Sequence, residues 1–326
     1  MLNAFLLVWL GCSCLVAYAE QPKPIRLERT APAMGTTYIV DLYGFNPGTL
    51  QAAAQAALDE AQRLDRMLSD YRPDSELSLV NRQAYEHPVK VSREFFDLLS
   101  ACLDYSRRSE GSFDITIGAL MRVWGFYKGS GRLPHRAEVA AALQHVGYRH
   151  VILDSQANTV RFDVDGLALD PGGVGKGYAV DKMVGVLKEN GITSALVSGG
   201  GSSIFGLGTP PEEPRGWYVQ IRDPKDATHH AAELYLHNQS LSTSGNYEKF
   251  FWAGGKLYSH IMDPRSGFPA DGVLAVSVVA PRTLDSEVWA KAYYILGRPW
   301  TEIHKAKEFR VLMCENKVGV ECVWVK

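Results

Sequence analysis

The tract Val273-Leu274-Ala275-Val276-Ser277-Val278-Val279-Ala280 is apolar apart from Ser277 and rich in β-branched residues, which reads as a strand. Helix-spaced apolar residues follow over 284–296 and stop at Gly297. Two more strand-like runs, 309–314 and 319–325, then form a C-terminal hairpin. Further runs of the same kind lie at 159–164, 195–198, 217–222 and 232–237. Over 50–68, Leu50, Ala53, Ala54, Ala57, Leu58, Ala61, Leu64 and Leu68 recur at helical spacing and make one apolar face. A second helix starts at Ser92, a good N-cap, and turns Phe95, Phe96, Leu99, Cys102 and Leu103 inward. A third runs from about Gly177 to Asn190 and ends at Gly191. Helices and strands mix without a βαβ alternation, so the fold class is α+β with a substantial antiparallel sheet.

The chain has 326 residues, 46% of them hydrophobic, with 34 basic against 36 acidic side chains. At about 150 residues per domain this is room for two domains or one large unit. The hydrophobic fraction excludes wholesale disorder, and the balanced charge excludes a nucleic-acid binder that works by bulk electrostatics. Function must lie in local sites.

Residues 2–19 carry no charge and end in Ala17-Tyr18-Ala19, a small-x-small pattern suited to a signal peptidase. No Lys or Arg precedes the apolar run. Lipidation at Cys12 and an uncleaved membrane anchor are the other readings of this segment, beside a buried N-terminal helix. Export is expected, with residues 1–19 as signal peptide or anchor and 20–326 as the functional unit. Cys314 and Cys322 flank the C-terminal hairpin and can bridge if they stand opposite one another. Cysteines without C-x-x-C spacing make no zinc site.

Two glycine-rich loops stand out. Asp170-Pro171-Gly172-Gly173-Val174-Gly175-Lys176-Gly177 opens the third helix, where glycines let backbone approach a ligand and terminal N–H groups favour phosphate. Its spacing is neither a P-loop nor a dinucleotide fingerprint, and a tight structural turn is an equal reading. The second loop, Ser198-Gly199-Gly200-Gly201-Ser202-Ser203, either hosts a ligand at a strand end or bends the backbone. Ser242-Thr243-Ser244-Gly245 and His260-Ile261-Met262-Asp263-Pro264-Arg265-Ser266-Gly267 read as turns. In the latter, His260 can act as base and Arg265 can clamp a phosphate. The plainer reading has Asp263 capping the turn and pairing with Arg265.

Taken in order along the chain, these segments resemble the ApbE family of FAD:protein FMN transferases. The resemblance rests on Met34-Gly35-Thr36, Leu64-Asp65-Arg66-Met67-Leu68-Ser69-Asp70-Tyr71 and Asp74-Ser75-Glu76-Leu77-Ser78 with Asn81. It continues through Gly111-Ser112-Phe113-Asp114-Ile115-Thr116-Ile117-Gly118, Trp124-Gly125-Phe126, the 170–181 loop-helix and the two turns above. It implies an exported flavin enzyme that binds FAD as substrate and uses Mg²⁺ to organise the pyrophosphate. FMN would pass to a threonine hydroxyl of a partner flavoprotein, a membrane respiratory or reductase subunit, with release of AMP. Met34, Tyr71, Ser112, Phe113, Asp114, Asp170, Lys176 and His260 would lie along the FAD. His260, with Arg265 in the adjoining turn, would serve the chemistry at the scissile phosphate.

The resemblance also implies a metal held by a backbone carbonyl near Gly173 and by an Asp and a Thr four residues apart on the last helix. Counted back from Gly297, those two positions hold Glu287 and Lys291. Glutamate still binds Mg²⁺, but lysine offers three donors and no acceptor. Either Lys291 pairs with Glu287 and meets the pyrophosphate itself, or it faces solvent and Asp285 or Glu287 still takes the metal. The competing functions are hydrolysis of FAD to FMN and AMP, and non-catalytic FAD binding or storage. The chain lacks the acceptor pattern Asp/Ser-Gly-Ala/Ser-Thr-x-Ser/Thr, so self-modification is not expected.

Overall fold

A computed structural model describes residues 23–127, 129–317 and 319–326. The expected leader, with Cys12 and its Ala17-Tyr18-Ala19 end, lies outside the described residues. Eight strands build one sheet: β1 (Ile25–Ala33), β2 (Thr36–Gly44), β3 (Ser194–Gly199) and β4 (Ser203–Leu207). They continue with β5 (Gln239–Gly245), β6 (Val273–Ala280), β7 (Arg310–Lys317) and β8 (Gly319–Val325). Spatial order equals chain order, and every neighbouring pair is antiparallel. The sheet is therefore a meander with long insertions in some of its connections. Its antiparallel order puts the β1–β2, β3–β4 and β5–β6 connections at the same end.

The β2–β3 insertion carries α1 (Pro47–Leu68), α2 (Glu76–Gln83), α3 (Arg93–Arg108), α4 (Gly118–Val123), α5 (Arg136–Leu143) and α6 (Gly175–Glu189). The segment α7 (Thr283–His304) joins β6 to β7 and breaks at Gly297, whose φ of 76° no helix tolerates. Helix α1 begins before the apolar stripe because Asn46 accepts from the Thr49 N–H at 3.0 Å and Pro47 opens the first turn. Its eight expected inward residues are all buried.

Helices pack on one face of the sheet, and the hairpin Trp217–Arg222/His230–Leu236 covers the other. All eight residues of β6 are consequently buried, which explains why the tract does not alternate. Segment 242–245, read above as a turn, belongs instead to β5. Its serines are buried yet satisfied: Ser240 Oγ and Ser242 Oγ lie 3.0 and 2.8 Å from Ser286 Oγ on α7. Cys314 and Cys322 face each other across β7 and β8 and are joined as a disulfide.

Helices α6 and α7 meet without a side chain between them at Gly177. A Cβ there would stand 2.6 Å from the Thr283 carbonyl oxygen and 2.8 Å from Glu287 Oε2. Asp181, one turn further along α6, accepts the N–H groups of Thr283 and Leu284 at 2.6 and 2.9 Å and so caps α7 from outside. Gly177→Ala should therefore cost about 1–3 kcal/mol or more by overpacking against backbone. Gly185 lies in the same helix with nothing within 4 Å of its Cβ position, so Gly185→Ala should add about 0.5–1 kcal/mol. Urea unfolding of the two variants checks the pair, since equal effects would contradict the close crossing.

Candidate functional site

The connections at the common end of the sheet converge on the start of α6. In the β1–β2 turn Met34 takes a left-handed φ of 49°, and its N–H donates to Asp65 Oδ1 at 3.0 Å. Its Sδ would be 3.4 Å from a Cβ on Gly175. In the β3–β4 turn Ser202 Oγ accepts from Lys176 Nζ at 2.6 Å. Gly173 presents bare backbone, since a Cβ there would stand 3.0 Å from the Phe113 ring and 3.6 Å from Lys291 Cδ. Asp170 accepts the Gly172 N–H at 2.8 Å and so fixes the loop. Desolvation pushes its carboxyl upward, opposed by Arg122, Lys249 and Lys291.

The β5–β6 insertion supplies the histidine. The strands Phe250–Ala253 and Lys256–Ser259 form a hairpin that turns through Gly254 and Gly255, both at positive φ. This register puts Lys249 beside His260, whose N–H donates to the Lys249 carbonyl at 3.0 Å. The same carbonyl lies 3.1 Å from His260 Nδ1. A carbonyl only accepts, so Nδ1 carries the proton and Nε2 keeps its lone pair. Burial, reinforced by the charges of Lys291, Lys249 and Lys176, holds the imidazole down to about 4. At neutral pH it is an uncharged base among cations.

Helix α7 brings Glu287 and Lys291. Glu287 is buried, its Oε2 accepting the Gly177 N–H at 2.5 Å while Oε1 has no hydrogen-bond partner. Lys291 Nζ forms an ion pair with that Oε1 at 3.6 Å, and the lysine side chain is 21% exposed. Burial lowers the Lys291 ammonium from the usual lysine range, with Glu287 and Asp170 opposing. Met34, Phe113, Asp170, Gly173, Lys176, His260, Glu287 and Lys291 thus share one neighbourhood.

Four further residues expected at the site have the following partners. Ser112 is buried next to Phe113, its Oγ without a hydrogen-bond partner. Asp114 accepts the Thr116 N–H and hydroxyl at 2.9 and 2.7 Å and the Tyr148 N–H at 2.8 Å, so its carboxylate ties loops together. Tyr71 is exposed and stacks on Tyr127 at 5.5 Å, with Arg122 over the Tyr127 ring. Arg265 is exposed and pairs doubly with Asp263 at 2.9 and 3.0 Å, the capped-turn arrangement. Sequence reasoning missed Lys249 and Arg122, and met Ser202 only as part of the second glycine-rich loop. The Gly254-Gly255 hairpin signal would have brought Lys249 beside His260.

The residues present do not fit a divalent cation at Glu287. One Glu287 oxygen is taken by a backbone N–H, and the other faces an ammonium that has no lone pair and repels a cation.

Comparison with known proteins gives one consistent picture. The ApbE family profile matches residues 34–313. A Treponema pallidum FAD:protein FMN transferase is 34% identical over 288 residues, 83% of this chain and 78% of its own. A Klebsiella pneumoniae protein of the same description is 32% identical over 82% of each chain. Among solved structures, the Pseudomonas stutzeri flavinyl transferase ApbE superposes with a TM-score of 0.83 at 27% identity, covering 94% of this chain and 97% of that one. The ApbE protein of Thermotoga maritima gives 0.83 at 26%, covering 91% and 97%.

The depressed imidazole has a signed consequence. Unfolded histidine titrates near about 6.5. His260's share of stability is therefore complete above that pH and is lost as pH falls through 6.5 toward about 4. Titration of the His260 ring protons by NMR should show no protonation near pH 6, and Lys249→Met should move the midpoint upward. A midpoint near 6.5 in the unaltered protein would overturn this electrostatic description.

Proposed function

The chain belongs to the ApbE family, and we propose that it transfers FMN from FAD to an acceptor protein, releasing AMP. The observation that carries this is His260: a neutral base with a free Nε2, set among Lys176, Lys249 and Lys291. A base surrounded by cations suits a nucleophile that must lose a proton while attacking an anion.

In the proposed reaction the acceptor hydroxyl oxygen attacks the phosphorus that carries the riboflavin. A new P–O bond forms as the bridging P–O bond to the AMP phosphate breaks, and AMP leaves with that electron pair. The hydroxyl proton passes to His260 Nε2. The lysines offset charge on the diphosphate, Lys176 being oriented by Ser202. Phe113, packed under the glycine loop, offers an apolar wall, and Tyr71 offers an exposed ring.

The acceptor is proposed to present a threonine and to be membrane-associated, and the enzyme to act after export. The apolar run 2–19 with its Ala17-Tyr18-Ala19 end supports export, as does the Cys314–Cys322 disulfide, which suits an oxidising compartment. No helix among the described residues is long and apolar enough to cross a membrane.

Incubation with FAD and a protein bearing the threonine acceptor pattern tests the reaction. Transfer predicts covalently bound FMN and an equivalent of AMP, read by mass spectrometry. Free FMN with AMP would mean hydrolysis, and intact bound FAD would mean a binding protein. His260→Asn should lower the rate by about 10²–10⁴-fold while leaving FAD binding largely in place.

A further inference from the structure

We propose that Lys291 is this chain's own cation for the FAD diphosphate, so that flavin binding here needs no divalent metal. The inference rests on the flavin-transfer reading and names how that site meets its anion. Three features of the structure carry it.

The first is where the ammonium is held. Its stem passes beside the bare backbone of Gly173, 3.6 Å from the Gly173 Cβ position, where a side chain would press on the Phe113 ring at 3.0 Å. Lys291 therefore belongs to the wall of the loop that opens α6, and its side chain is four-fifths covered.

The second is how it is held. Glu287 is fixed by the Gly177 N–H, and its remaining oxygen reaches Lys291 at 3.6 Å, beyond hydrogen-bond distance. An ammonium has three donors, of which one carboxylate oxygen can engage at most one well. The pair orients the lysine and leaves donor capacity for a second anion.

The third is the field. Lys176, Lys249 and Lys291 all act electrostatically on His260, and Arg122, Lys249 and Lys291 act on Asp170, so positive side chains from four separate segments reach this neighbourhood. A diphosphate entering this neighbourhood meets several cations at once, each contributing as a point charge.

The test is equilibrium FAD binding, followed by flavin fluorescence, in EDTA and in excess Mg²⁺. The unaltered chain should bind equally, within about twofold, in both. Lys291→Thr should weaken binding about tenfold or more in EDTA, the loss expected for one charge-assisted contact, and Lys291→Arg should recover part of it. Thermal melting verifies that each variant is folded, and the comparison on the unaltered chain needs no variant. Mn²⁺ electron paramagnetic resonance should find no stoichiometric tight site in the unaltered chain. FAD binding that requires Mg²⁺, or a stoichiometric Mn²⁺ site, would overturn the lysine's role while leaving the flavin reading intact. Absence of FAD binding under both conditions would overturn that reading, and the inference with it.

Discussion

The close crossing of α6 and α7 at Gly177 is the constraint on which the rest of the site depends. Two carboxylates fasten it from opposite helices. Asp181 on α6 caps the start of α7, and Glu287 on α7 accepts the Gly177 N–H at the start of α6. Each helix thus supplies an acceptor for the other's unsatisfied first-turn donors, so the contact needs no apolar filler. The backbone approach that only glycine permits aims the last helix at the glycine loop. Displace α7 by the width of a methyl group and Lys291 leaves the wall of that loop.

The meander turns this local contact into a site. Because successive strands run antiparallel, the turns holding Met34 and Ser202 and the insertion holding Lys249 and His260 emerge at one end of the sheet. Helix α6 starts at that end, tied to it by Lys176 on Ser202 and by the Met34–Gly175 approach. Apart from Glu287 and Lys291, which helix α7 carries, the polar groups of the cluster sit on connections or at a helix start, and the buried strand β6 carries none of them. Chemistry rides on loops, and the doubly covered sheet keeps those loops in register.

Much of this was legible in the sequence. The apolar stripe of α1, the Ser92 cap, the stops at Gly191 and Gly297 and the C-terminal hairpin are each local signals with a local cause. Segment 242–245 was not legible, since Ser-Thr-Ser-Gly has turn chemistry and its burial depends on Ser286, forty-odd positions away. Lys249 escaped for a similar reason: its place beside His260 follows only once the strands on either side of Gly254-Gly255 are paired in register. Asp114 and Arg265 show a different effect of packing. Both lie in recognisable motifs, and each is also hydrogen-bonded by neighbours within the protein. Sequence identifies groups capable of chemistry, but only packing shows which of them are already partnered.

Glu287 and Lys291 also make sense only as a unit. Glutamate has the length to reach the Gly177 N–H while keeping its second oxygen toward position 291. Shortened to aspartate with Lys291 retained, it would draw back from that N–H and leave a buried donor unmet. Removing the lysine while the glutamate stays would leave a buried carboxylate oxygen facing no positive charge, since Oε1 has no other partner. The shortened acid would strand the Gly177 N–H and the lost lysine would strand Oε1, and because the two side chains form one ion pair their changes are non-additive. The ammonium is therefore built into the interior of this protein as its packing requires. An anion arriving at the glycine loop meets a charge that is already oriented and partly desolvated, which is the condition under which a single lysine acts most strongly.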